Sequence, residues 1–81
     1  MNTTIEVGGL FFNLVGVFNG KPLYETQLPY DSHFYYVKRI STRRYDIERT
    51  DSHCENEEFL DEASTFEDAA RIILEYFEEP W

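Results

Sequence analysis

Eighty-one residues form a single domain, and a chain this short hides only about 60% of its unfolded surface on folding, so the core must be thin. The composition is 42% apolar with seven Phe, six Tyr and one Trp, enough for a folded protein despite a net charge of −9. That charge disfavours direct binding to nucleic acid or anionic membranes, no apolar run approaches the roughly 18 residues of a membrane span, no secretory leader is visible, and the lone Cys54 excludes an internal disulfide; a cytoplasmic chain is expected.

In chain order, Thr3 to Val7 alternates weakly, with Ile5 and Val7 on one side, and ends at Gly8-Gly9. Leu10 to Phe18 is strongly apolar and runs into Asn19-Gly20, the pair favoured in hairpin turns whose two central residues both need positive φ. The return strand, about Leu23 to Leu28, follows Pro22. Because proline cannot donate to a sheet ladder, it reads as an edge strand. After a turn at Leu28-Pro29-Tyr30-Asp31-Ser32, His33 to Ile40 is rich in aromatic and β-branched residues and reads as a strand. Ser41 to Arg43 closes a second hairpin, and Tyr45, Ile47 and Arg49 alternate with Asp46, Glu48 and Thr50 as expected of a sheet covered on one face.

Asp51 to Glu58 is polar and reads as loop, with Phe59-Leu60 either a brief strand or a hydrophobic pair under the last element. Ser64 followed by Glu67 matches a capping box and starts a helix. From Phe66 onward the apolar residues cluster on one side of that helix, while Glu67, Asp68, Arg71, Glu75, Glu78 and Glu79 cluster on the other. Pro80 stops it. The expected fold is therefore α+β: an antiparallel sheet of three to five strands over about 3–50, an acidic loop over about 51–63, and one amphipathic helix over about 65–79 packed on one sheet face. Tyr24, Tyr35 and Tyr36 are candidates for the other face, where exposed aromatics beside charge commonly anchor a partner.

The charge is unevenly placed. Residues 51–81 hold eleven carboxylates against one base, Arg71, whereas residues 1–50 hold five acids and six bases. Crowding like charge into so short a stretch destabilises the fold by self-repulsion, at a cost that solubility does not require. Asp51, Glu55, Glu57, Glu58, Asp61, Glu62, Glu67, Asp68, Glu75, Glu78 and Glu79, with Tyr35 and Tyr36, are thus candidate contacts to a basic protein surface, one built to grip the dense phosphate charge of a nucleic acid. A homodimer follows if a basic patch meets an acidic one across a two-fold axis.

No phosphate loop, nucleophile elbow or paired histidines on a helix is present, so catalysis is not expected. Cys54, His53 and the distant His33 fall short of a zinc ligand set, and no metal or cofactor is expected. The segment Lys38 to Arg49, with five bases beside Phe34, Tyr35 and Tyr36, offers a competing reading as a single-strand nucleic-acid binder, which the acidic segment opposes. An exposed Leu23 to Leu28 edge would instead suit a non-catalytic interaction subunit joined by strand addition.

In its acidic second half, capped final helix, antiparallel sheet and length, the chain resembles the small anti-CRISPR inhibitors of bacteriophages and mobile elements, some of which imitate DNA. The resemblance implies a protein that blocks a CRISPR effector where duplex would sit. It is also similar to acidic immunity proteins and antitoxins that cap a basic nuclease toxin.

Overall fold

A computed structural model describes residues 4–28, 33–50 and 57–77. Six strands, β1 (Thr4–Val7), β2 (Leu10–Phe18), β3 (Lys21–Thr26), β4 (Phe34–Ser41), β5 (Arg44–Thr50) and β6 (Glu57–Ala63), precede one helix, α1 (Phe66–Phe77). The strands pair antiparallel in sequence order, so the sheet is a simple meander with β1 and β6 at its edges. The α+β class stands, but six strands replace the three to five expected.

Two turns are set by backbone chemistry. Asn19 and Gly20 have φ of 52° and 75° and join β2 to β3 with Phe18 opposite Lys21, the twist-matched turn that Asn-Gly favours. Gly8 and Gly9 do the same between β1 and β2, with φ of 60° and 86° and Val7 opposite Leu10.

Three expectations are corrected. β3 lies between β2 and β4, so it is an interior strand; Pro22 is its second residue, and the β3–β4 ladder begins only at Leu23, opposite Lys38. Residues 57–63, read as loop, are strand β6. Acidic residues are poor strand formers in isolation, but here β5 supplies their counter-charges: Arg49 meets Glu58 at 3.2 Å and Arg44 meets Glu62 at 3.1 Å. The third correction concerns the helix cap. The Thr65 hydroxyl accepts the Asp68 N–H at 3.1 Å, so Thr65 rather than Ser64 caps the N-terminus.

The core lies between α1 and one sheet face. Leu10, Phe12, Tyr35, Val37 and Ile47 from the sheet meet Ala69, Ala70 and Ile73 from the helix, all buried. Phe66 seats the helix start: its ring is 4.9 Å from that of Phe12, 5.1 Å from Tyr24 and 5.5 Å from Tyr45, mostly edge-on, a geometry that adds to plain burial. At Gly8 the β1–β2 turn comes so close to the helix that a Cβ there would lie 2.9 Å from that of Ala70.

Register assigns the opposite face. Asn13, Glu25, Tyr36, Glu48 and Phe59 stand in one row across β2 to β6, and Gly16, Leu23, Lys38, Asp46 and Glu62 in the next. The helix packs on the other side and leaves this face open among the described residues, except at Thr50, which lies on it by register and is only 5% exposed. Bulges near Leu14 and opposite Ile47 keep these rows in phase; the second inserts Leu60, which joins the core.

Candidate protein-docking surface

The candidate acids divide between two faces. On α1, Glu67 and Glu75 are exposed, and Asp68 is held by Arg71 at 3.2 Å. This sorting follows the helical period, which puts the apolar positions on Ala69, Ala70 and Ile73. On β6 the two-residue period and the bulge send Glu58 and Asp61 toward the helix side and Glu57 and Glu62 toward the open face. The strand therefore carries acid on both sides of its edge. Asp51, Glu55, Glu78 and Glu79 lie outside the described residues.

Helix and edge strand meet at a shallow depression lined by Asp61, Ile72, Glu75 and Tyr76. The Tyr76 hydroxyl fixes this junction by donating to the Leu60 carbonyl at 3.3 Å, at the bulge that interrupts the β5–β6 ladder. A carboxylate from each element thus lines one concavity.

Much of the positive charge is engaged internally. Lys38 pairs with Glu48 at 3.3 Å, and Arg44 bridges Asp46 at 2.9 Å and Glu62 at 3.1 Å. The hydrogen bond to Asp46, followed by the charges of Asp46 and Glu62, raises the pKa of Arg44 above its ordinary value. Burial works against the charge of Arg49, but hydrogen bonds to Tyr35 and Glu58 and their charges outweigh it and leave the pKa raised. The Arg49 guanidinium also lies 5.8 Å from the centre of the Tyr76 ring, which ties β5 to the helix. Among the described residues, Arg39 and Arg43 are exposed and join no ion pair, as is true of Glu57, Asp61, Glu67 and Glu75.

The aromatic candidates separate by alternation. Tyr35 is only 1% exposed and Tyr24 packs on Phe66, so both belong to the core and the expectation that they face a partner is corrected. Tyr36 stands on the open face, between Glu25 and Glu48. Phe11, 63% exposed and not singled out in the sequence, shares that face by register, as does Phe59, 57% exposed, which belongs to a strand and is not tucked under the helix. The only signal for Phe11 was its alternation with buried Leu10 and Phe12, and inside an apolar run that signal has no contrast.

Among the described residues no group of three or more His, Cys, Asp or Glu is placed to hold a metal ion; His53 and Cys54 lie outside them. No described helix is long and apolar enough to cross a membrane. Comparisons with protein-family models, with curated proteins and with solved structures find no match to this chain.

Proposed function

We propose that the chain is a non-catalytic acidic inhibitor that binds a basic, nucleic-acid-binding surface of a partner protein and blocks it. The observation that supports this reading is the set Asp61, Glu67 and Glu75: three exposed carboxylates, in no ion pair among the described residues, on one helix and the strand beside it. The one base on α1, Arg71, is held by Asp68, so a row of Lys and Arg on another protein is the natural complement of these three carboxylates. The engagement of Lys38, Arg44 and Arg49 by Glu48, Asp46, Glu62 and Glu58 weighs against the alternative of a single-strand nucleic-acid binder, because those cations would first have to leave their partners. A CRISPR effector and a nuclease toxin both offer the required surface, and the captured protein decides between them.

The test compares the wild-type chain with the triple variant Asp61→Lys, Glu67→Lys, Glu75→Lys as bait in a host lysate at low and moderate salt. All three positions are exposed, so the fold should persist, as circular dichroism checks. A nucleic-acid-binding protein should be retained by the wild type, released by duplex DNA or by salt, and lost with the variant. Equal retention of the same proteins by a folded triple variant would refute the reading.

A further inference from the structure

We propose that the open face of the sheet is a second docking surface, for a partner's amphipathic helix that carries Lys and Arg beside its apolar side chains. Every described large apolar side chain that is exposed belongs to β1, β2 or β6, and none to α1. Of these, Phe11 and Phe59 lie on the open face, on strands β2 and β6. With strands about 4.8 Å apart and a two-residue offset along β2, the two are separated by about 20 Å. A helix of 14 residues is about 21 Å long, so one laid across the strands reaches both rings and passes over Tyr36 on β4.

Charge selects which helix. By register the open face holds Glu6, Glu25, Asp46, Glu48, Glu57 and Glu62 against Lys21, Lys38 and Arg44. Glu25 and Glu48 flank Tyr36 on the neighbouring strands, one spacing to either side. Apolar side chains of the incoming helix therefore meet Phe11, Tyr36 and Phe59, while its flanking cations meet Glu6, Glu25 and Glu57, which join no ion pair among the described residues. A helix with acidic flanks meets like charge, which an interface penalises strongly. Steering by the acids speeds encounter, and burial of the two phenyl rings slows departure.

The experiment uses the full chain, labelled with ¹⁵N, and a 14-residue peptide of leucine and lysine at helical spacing. Amide shifts should concentrate at Asn13, Glu25, Tyr36, Glu48 and Phe59. The double variant Phe11→Ala, Phe59→Ala should lose at least tenfold in affinity, with its spectrum otherwise that of a folded protein because both rings are more than half exposed. The matching leucine–glutamate peptide should not bind. Polylysine, which has charge and no apolar face, should shift Asp61, Glu67 and Glu75 instead, and that arm reports on the acidic-inhibitor reading separately. Shifts from the leucine–lysine peptide confined to α1, or equal affinity for the double variant or for the acidic peptide, would overturn the inference. So would shifts of the same row by single-stranded oligothymidylate, or self-association of the wild type that the double variant abolishes, since each names a different occupant.

Discussion

Replacing Gly8 by alanine tests how tightly the β1–β2 turn is pressed on the helix. The new Cβ incurs two separable costs. The residue sits at φ +60°, where an L side chain costs about 1–2 kcal/mol, and the Cβ would stand 2.9 Å from that of Ala70, overpacking that typically costs about 1–3 kcal/mol. A loss of about 2–5 kcal/mol is expected. Gly9 supplies the control, since it also has positive φ but nothing lies within 4 Å of its added Cβ; Gly9→Ala should therefore show only the first cost. Ala70→Gly removes the atom that is struck, at about 1 kcal/mol of helix propensity. In the double variant Gly8→Ala, Ala70→Gly the combined loss should fall short of the sum by about 1–3 kcal/mol, the coupling expected of groups in contact. Urea denaturation followed by circular dichroism, with an unchanged slope, measures each value. Equal losses for Gly8→Ala and Gly9→Ala, together with an additive cycle, would refute the close approach.

Thr65→Ala should cost about 1 kcal/mol through loss of the helix cap, whereas Ser64→Ala should stay within about 0.5 kcal/mol, as chemical denaturation of the two variants checks. Arg49→Met should cost about 1 kcal/mol by removing the contact with Tyr76 and the pair with Glu58. Its pH dependence follows from sign: the folded pKa is raised above the ordinary arginine value, so the stabilisation is full below that ordinary value and is lost only as pH rises through the higher one. The difference between wild type and Arg49→Met should thus be equal at pH 6 and pH 9 in matched denaturation curves.

Elements whose cause is local were readable in the chain. Asn19-Gly20 announces its turn because few residue pairs tolerate two positive φ angles in succession, and α1 announces itself through a period of 3.6 with charge opposite Ala69, Ala70 and Ile73. β6 was hidden because its reason is not local: Glu58 and Glu62 extend along β5 only once Arg49 and Arg44 stand across from them. The cap was misplaced by one residue because Ser64 and Thr65 carry the same kind of hydroxyl, and only the Asp68 N–H distinguishes them. Tyr35 and Tyr36 had to face opposite ways, but choosing the inward one needed the register that sets Val37 against Ile47. Pro22 suggested an edge, yet a proline at the second residue of a strand leaves the later residues, Leu23 to Glu25, free to pair on both sides.

The order of the meander bears on how the molecule is made. Each strand pairs with the one synthesised just before it, so the ladders assemble progressively from nearby pieces of chain and avoid the long loop closures that slow other β topologies. The helix follows all six strands. Until it emerges from the ribosome, Phe12, Tyr24, Val37, Tyr45 and Ile47 lie on a finished sheet with no lid, a nascent species that invites aggregation unless Phe66 arrives promptly to seal it.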